Sequence, residues 1–151
     1  MRKTSIELPT DHLPEHLLKL LEGMRRRMQE ELTAEYGERR PFVRPSFGRM
    51  LQLIPPEGVR ITEYAALARM TKQAAGEYVD SLESSGLAVS ERLPSDRRVR
   101  MVRRTTEGDA VAADVSKTIG TIEERLRAEV GPRRYDTMVS VLRELGADSF
   151  G

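Results

Sequence analysis

The polar side chains that begin at Thr71 could recognise a nucleic acid. Lys72, Gln73, Gly76 and Glu77 fall on the polar side of an amphipathic segment that continues to a glycine stop. At the start of a helix in a DNA major groove, an ammonium can pair with a phosphate or guanine, an amide can read adenine, and a carboxylate can accept from cytosine. Gly76 costs such a helix roughly 1 kcal/mol relative to alanine. This cost indicates either a close approach of DNA there or a close contact between helices.

A second segment, residues 92–104, is strongly basic. It holds six arginines against one acidic residue, Asp96, although the whole chain is nearly balanced with 25 Lys+Arg and 24 Asp+Glu. Arg97, Arg98 and Arg100 lie in or beside a predicted turn, and an arginine at a hairpin tip can enter the minor groove while its neighbours neutralise phosphates. Asp96 is expected to pair with Arg98 or to cap the turn. The alternative is an arginine-rich hairpin that is simply solvated.

The elements that must position these side chains follow from local signals. Thr62 is expected to cap a short helix over 63–69, and Thr71 is expected to cap a second helix that ends before Gly86. Residues 87–104 predict an antiparallel hairpin, because two short strand-like runs flank a cluster of turn formers. Two short helices followed directly by a hairpin form a winged helix-turn-helix.

Amphipathic helices are predicted on both sides of this unit. Apolar residues recur at three- and four-residue spacing from Leu13, with Thr10 or Asp11 as the cap and Pro14 in the first turn. Gly37 and Pro41 are expected to end this helix. Further helices are expected to begin at Pro45, after the cap Thr105, and at Pro132. The apolar stripes of the last two helices have no other covering, which favours pairing of two chains. The expected organisation is a flexible arm over 1–12 and a single domain over 13–151, with the winged lobe at about 44–104 and dimerisation helices at about 13–37 and 105–147.

Residues 61–108 resemble the MarR family of multiple antibiotic resistance regulators. The resemblance is carried by the run from Thr71 through the Ser-Ser-Gly-Leu that ends at Leu87, and by the wing pattern Asp-Arg-Arg, a short strand, then Thr105 and Gly108. The order of the helices extends it to nearly the whole chain. The sequence differs from the family pattern at two positions. Glu77 occupies a position where the family often has a basic or neutral polar residue, and Arg104 replaces the leucine that commonly precedes the threonine.

The resemblance implies a mainly α fold with a small β-hairpin wing, in which the terminal helices form a dimerisation layer. Members of the family are usually homodimeric repressors of transcription that bind short palindromes in double-stranded DNA. Many respond to a small aromatic or lipophilic ligand bound between the dimerisation layer and the winged lobe, which releases the DNA by a shift in population. The sites implied here are Thr71, Lys72, Gln73, Gly76, Glu77, Arg97, Arg98 and Arg100 for DNA.

Composition and motifs argue against other classes of function. The chain has no cysteine, so disulfide scaffolds, thiolate metal sites and cysteine nucleophiles are excluded. His12 and His16 flank Pro14 without a third ligand, and they are interpreted as ordinary surface residues. Since no catalytic constellation or phosphate loop is evident, neither an enzyme activity nor a cofactor is expected. No apolar run approaches the roughly 18 residues of a membrane span, so the protein is expected to be cytoplasmic with no membrane contact.

A ligand pocket is also predicted. Methionine adapts to irregular shapes, so five residues of the first two predicted helices are candidates to line such a pocket. They are Met24, Met28, Phe47, Met50 and Leu51. Ordinary core packing between these helices is the alternative.

The sequence therefore predicts a sequence-specific DNA-binding regulator, a homodimeric and ligand-responsive repressor. The alternative is a winged-helix protein-interaction module that does not bind DNA. Glu77 and Asp80, two acidic residues on the exposed side of the second helix, motivate that alternative.

Overall fold

The computed structural model describes residues 14–41 and 43–146. Within these ranges the chain is mainly helical, with a small three-stranded antiparallel sheet in the order β1-β3-β2. The arm predicted over 1–12, with Thr10, Asp11 and His12, lies outside the described residues. The elements in chain order are α1 (Leu17–Arg39), α2 (Pro45–Gln52), β1 (Val59–Arg60), α3 (Ile61–Leu67), α4 (Lys72–Ser84), β2 (Ala88–Arg92), β3 (Arg100–Arg104), α5 (Thr106–Val130) and α6 (Pro132–Gly146).

Polar caps and glycines define the ends of the helices in the winged unit. The Oγ1 of Thr71 accepts a hydrogen bond from the backbone N–H of Ala74 at 3.1 Å, which satisfies a free donor in the first turn of α4. Gly86 follows this helix with a φ of +72°, a conformation that glycine adopts without steric cost. Thr105 caps α5 in the same way as Thr71 caps α4, through the N–H of Gly108 at 3.0 Å. These predicted caps and the predicted stop are confirmed.

Two glycines allow elements to pack more closely than a side chain would permit. A Cβ on Gly108 would lie 2.0 Å from the carbonyl oxygen of Leu87, so the first turn of α5 is pressed against the start of the wing. A Cβ on Gly48 would lie 2.1 Å from Cγ2 of Val115, where α2 packs against α5. The Gly108 contact gives a physical reason for the glycine that follows Thr105 in the wing pattern.

Three predicted helix boundaries are wrong. Thr62 does not cap α3, because the helix already begins at Ile61 and the carboxylate of Glu63 accepts from the backbone N–H of Arg60 at 3.4 Å. Pro14 precedes α1, whose N-cap is His16. Gly37 lies inside α1, which continues to Arg39.

The strand β1 was not predicted. It is two residues long, and it pairs with β3 through Val59 opposite Val102. A strand of this length has no alternating pattern of its own, so only its partner defines it.

The core lies where α4, the sheet and α5 meet. The periodicity of α4 predicts a buried stripe of Ala75, Tyr78, Val79 and Leu82; Ala75, Val79 and Leu82 are completely buried, but Tyr78 is only partly buried. On α5, Val111 and Val115 are completely buried. Burial of each such valine or leucine side chain stabilises the fold by roughly 1.5–3 kcal/mol. The inner face of α4 is therefore fixed by packing, and its other face is left free.

The terminal helices keep large apolar side chains in solvent. The α6 helix has no buried residue at all. Leu145 is 75% exposed and Leu18 of α1 is 79% exposed. The other exposed apolar residues of these helices and of the end of α5 are Leu17, Leu20, Leu21, Val130, Met138, Val141 and Leu142. In the described part of the chain, no helix combines the length and the apolar character that crossing a membrane requires.

Candidate nucleic-acid interface

The α4 helix presents an unobstructed polar face. Thr71, Lys72, Gln73 and Glu77 are all exposed. The amide Nε2 of Gln73 lies 3.4 Å from the Oε1 of Glu77, a long hydrogen bond that leaves both groups available. The side chain of Lys72 makes no hydrogen bond or ion pair with the described residues. This helix is referred to below as the recognition helix.

Gly76 lies at the middle of this exposed face. A Cβ at this position would meet one group only, Nη1 of Arg100 at 3.8 Å, which is ordinary van der Waals distance. The described residues therefore place no second helix against Gly76, and a close contact between helices does not account for this glycine. The close approach of DNA to Gly76 stays a prediction.

The hairpin of β2, β3 and their connecting turn, residues 88–104, is called the wing. At its tip the side chain of Arg98 is 93% exposed, and its Nε lies 3.3 Å from Oδ1 of Asp96. The same carboxylate oxygen accepts from the backbone N–H of Arg98 at 3.0 Å. The predicted role of Asp96 is confirmed in both forms, because it pairs with Arg98 and closes the turn. Arg97 beside them is exposed and has no ion-pair partner among the described residues.

The remaining arginines of the basic segment are not all directed into solvent. Arg103 lies 3.5 Å from the carboxylate of Glu91, and Arg104 lies 2.9 Å from that of Asp109. Arg100 is mostly buried against the recognition helix and is held by carboxylates of that helix. Arg92 is exposed and has no carboxylate partner among the described residues. The exposed positive charge of the wing therefore lies on Arg92, Arg97 and Arg98, at and beside its tip.

A cleft of about 410 Å³ lies between α1, α2 and α5. Two of the predicted ligand residues, Met24 and Met28, line it together with Ile119 and Ile122 of α5. Arg49 of α2 also lines this cleft, and its guanidinium forms no ion pair with the described residues. Sequence reasoning missed Arg49, although a cation among the apolar positions of a short helix was the available signal.

The other three predicted ligand residues lie elsewhere. Met50 lines a neighbouring cleft of about 400 Å³ between α2 and the turn from α3 to α4. Phe47 and Leu51 are buried in the core. Phe47 packs edge-on against Tyr78, with ring centroids 5.6 Å apart.

Solved structures of transcriptional regulators have the same fold as this chain. The transcriptional repressor CouR, bound to a 23-mer DNA duplex, is 29% identical in sequence with a TM-score of 0.73, over 92% of this chain and 98% of CouR. The reduced form of MarR from E. coli is 19% identical with a TM-score of 0.75, over 86% of this chain and 96% of that one. A MarR-family regulator from Rhodococcus sp. RHA1 is 23% identical with a TM-score of 0.66, over 85% of this chain and 89% of that one. No protein-family model matches the sequence, and no curated protein matches it either.

Proposed function

We propose that this chain belongs to the MarR family of winged helix-turn-helix transcriptional regulators, and that it represses transcription in the cytoplasm by binding a short palindromic DNA site as a homodimer. The observation that carries the proposal is the joint exposure of the recognition helix and the wing tip. Arg100, at the end of the β2–β3 ladder nearest the wing tip, pairs with Asp80 of α4 and lies near Gly76 of the same helix. The similarity to CouR, whose structure contains a DNA duplex, supports the same conclusion.

In this proposal the protein recognises DNA through contacts in the major groove and contacts in the minor groove. Lys72, Gln73 and Glu77 reach base edges and phosphates in the major groove, where each base pair presents a distinct set of donors and acceptors. Arg97 and Arg98 enter the adjacent minor groove, where the readout depends on groove width rather than on individual bases. The Asp96 carboxylate keeps the tip in shape and shields only part of the Arg98 charge, since that pair is exposed to water.

Pairing of two chains is proposed through the terminal helices. The α6 helix and the start of α1 expose apolar side chains that a single chain leaves uncovered, among them Leu18 at 79% and Leu145 at 75%. Isolated surface leucines are common, but a helix with one continuous apolar stripe and no buried residue marks an interface. Two-fold pairing through this layer would present two recognition helices to one side of a duplex.

A regulatory ligand is proposed for the cleft between α1, α2 and α5. Its wall is apolar at Met24, Met28 and Ile122, and Arg49 offers a guanidinium without an ion-pair partner in the described part of the chain. This combination suits a small aromatic or lipophilic molecule with an anionic end. Because the cleft lies between the helical layer and the winged lobe, an occupant would change the separation of the two recognition helices.

The experiment is a fluorescence-anisotropy titration of a random-sequence duplex at several salt concentrations. We expect binding at micromolar concentration or better in low salt, with affinity falling steeply between about 50 and 200 mM salt because binding to phosphates releases counterions. Arg98→Ala should weaken binding to every duplex and reduce the magnitude of the log–log salt slope by about 0.9 for each phosphate that the variant no longer neutralises. Lys117→Ala is the matched control, because it removes the same unit of positive charge from an exposed site on α5 that belongs neither to the wing and α4 nor to the exposed apolar surface of the terminal helices.

A second variant tests the recognition of bases. Gln73→Ala should relax the preference at one base position and leave binding to unrelated sequences nearly unchanged, since it removes a base contact and no charge. Absence of salt-dependent binding by the unaltered protein would contradict the proposal. It would support the alternative, a winged-helix protein-interaction module.

A further inference from the structure

Two of the three nitrogens of the Arg100 guanidinium, Nε and Nη2, are engaged by protein groups, while Nη1 has no hydrogen bond among the described residues. Its Nη2 donates to Oδ1 of Asp80 at 2.7 Å and to Oε2 of Glu83 at 3.1 Å, both on the recognition helix. Its Nε donates to Oγ of Ser90, on β2, at 2.9 Å. The side chain is only 17% exposed. The Arg100 side chain is therefore far less exposed than that of its neighbour Arg98, which is almost fully exposed.

Ser90 and Glu83 close these contacts into a ring. The hydroxyl of Ser90 donates to Oε1 of Glu83 at 2.8 Å while it accepts from Arg100, and the backbone N–H of Ser90 also donates to Glu83. Both oxygens of Glu83 are therefore used, one by each strand of the wing. Arg100 is the first residue of β3 and lies opposite Arg92 in the ladder. The ring thus joins the recognition helix to the end of the β2–β3 ladder that lies nearest the wing tip.

The planar fork of arginine is what makes this ring possible. Its separate N–H donors point in fixed directions, so one side chain can hold an acceptor on β2 and two on α4 at the same time. Hydrogen bonds in which a partner is charged are shorter and stronger than those between neutral groups. Three such acceptors around one mostly buried guanidinium define a single orientation of the wing relative to the helix.

The ring also controls charge near the proposed DNA. Asp80 is 65% exposed and follows Gly76 and Glu77 by one helical turn on the same polar side. Without Arg100, two carboxylates would face solvent beside the groove-binding surface and would repel phosphates. Arg100 pairs with both of them and lies within van der Waals reach of a Cβ at Gly76.

We infer that Arg100 is a positioning residue, which fixes the wing at the angle to the recognition helix that lets both enter adjacent grooves, and that it does not bind a phosphate itself. This inference rests on the proposed DNA binding and replaces the expectation that Arg100 touches DNA. It also identifies Asp80, Glu83 and Ser90 as residues that determine DNA affinity without touching the duplex. The acidic pair on α4, three residues apart in sequence, was the signal that sequence reasoning left unused.

The test is a mutant cycle measured by DNA affinity. Arg100→Gln is made in the unaltered protein and in a background that carries Asp80→Asn and Glu83→Gln. If Arg100 acts through the two carboxylates, its loss should weaken binding about tenfold in the unaltered protein, a typical coupling for neighbours in one network, and less than about twofold in the neutral background. An equal or larger loss in the neutral background would overturn the inference, because a phosphate contact does not depend on those carboxylates.

Arg100→Lys separates the two roles in a second way. Lysine serves as well as arginine for the point charge that a phosphate needs, but it lacks the fork that holds three acceptors. We expect the Arg100→Lys variant to bind nearly as poorly as Arg100→Gln, and near-normal affinity would overturn the inference.

Hydroxyl-radical footprints supply a readout that a general loss of stability would not change. In Arg100→Gln the protection of the flanking minor grooves should disappear at protein concentrations that still protect the central major grooves. Uniform loss of protection would count against the inference. Thermal unfolding of each variant shows that the compared proteins are folded. Failure of the unaltered protein to bind DNA would refute the proposed function itself, whereas normal binding with equal losses in both backgrounds refutes only the role of Arg100.

Discussion

Replacement of Gly76 by alanine should make the protein more stable and a poorer DNA binder. Glycine in a helix interior costs about 0.5–1 kcal/mol relative to alanine, and Gly76 lies inside α4. The added Cβ would meet only Nη1 of Arg100, at 3.8 Å, so no clash within the described residues offsets the gain. For a chain of this size, about 1 kcal/mol raises the melting temperature by about 2–4 °C.

The DNA affinity should change in the opposite direction. If the DNA backbone approaches Gly76 closely, a methyl group there overpacks the interface, which costs roughly 1–3 kcal/mol or about fivefold or more in affinity. Circular-dichroism melts and anisotropy titrations on one palindromic duplex measure the two effects separately. Gly120→Ala is the matched control, because Gly120 also lies inside a helix and an added methyl group there would have nothing within 4 Å.

The control variant should gain stability without losing affinity. A Gly76→Ala protein that is less stable than the parent would refute the interpretation of its surroundings. A more stable protein with unchanged DNA affinity would refute the close approach of DNA to α4.

Three further predictions concern stability and assembly. Tyr36→Phe should raise stability by about 1 kcal/mol at pH 7, because the buried Tyr36 hydroxyl has no hydrogen-bond partner among the described residues and such groups cost roughly 1–3 kcal/mol. Burial also raises the pKa of Tyr36 in the folded protein. The free energy of unfolding should therefore be independent of Tyr36 ionisation below about pH 10, the ordinary tyrosine pKa, and should fall at higher pH, where the tyrosine ionises more readily in the unfolded chain. Urea titrations at neutral and alkaline pH should show that the free energy of unfolding falls less at alkaline pH in Tyr36→Phe than in the unaltered protein. An equal fall in both proteins would contradict the prediction. Arg69→Gly should stabilise the fold by roughly 0.5–1 kcal/mol in thermal melts, since Arg69 has a φ of +53° that costs a non-glycine residue; a lower melting temperature would refute it. Leu145→Glu should shift the protein from dimer to monomer in sedimentation experiments, because Leu145 is 75% exposed on the apolar face of α6, and an unchanged dimer would exclude that face as the interface.

Features encoded by neighbouring residues could be predicted from the sequence. Thr71 and Thr105 cap helices because their hydroxyls bond to backbone groups three residues away, and Gly86 stops α4 because of its own backbone freedom. The turn at the wing tip was also predictable, since Asp96 bonds to the backbone of Arg98. Each of these interactions spans three residues or fewer, so the local pattern contains all of its partners.

Features that depend on distant partners could not be predicted. The strand β1 exists only because Val59 meets Val102. Arg100 and Arg98 lie two residues apart and cannot be distinguished in the sequence, yet the side chain of Arg100 is mostly buried and that of Arg98 is almost fully exposed. The difference arises because the inward side of β3 faces Asp80 and Glu83, which only the folded arrangement of α4 and the wing brings into reach.

The most direct test of the central claim is the selection of bound duplexes from a random pool by the unaltered protein. We predict an enriched palindrome whose half-sites are separated by one helical turn, about 10 bp between centres, as two paired recognition helices require. Recovery of no enriched sequence, or of single half-sites without a fixed spacing, would contradict the account.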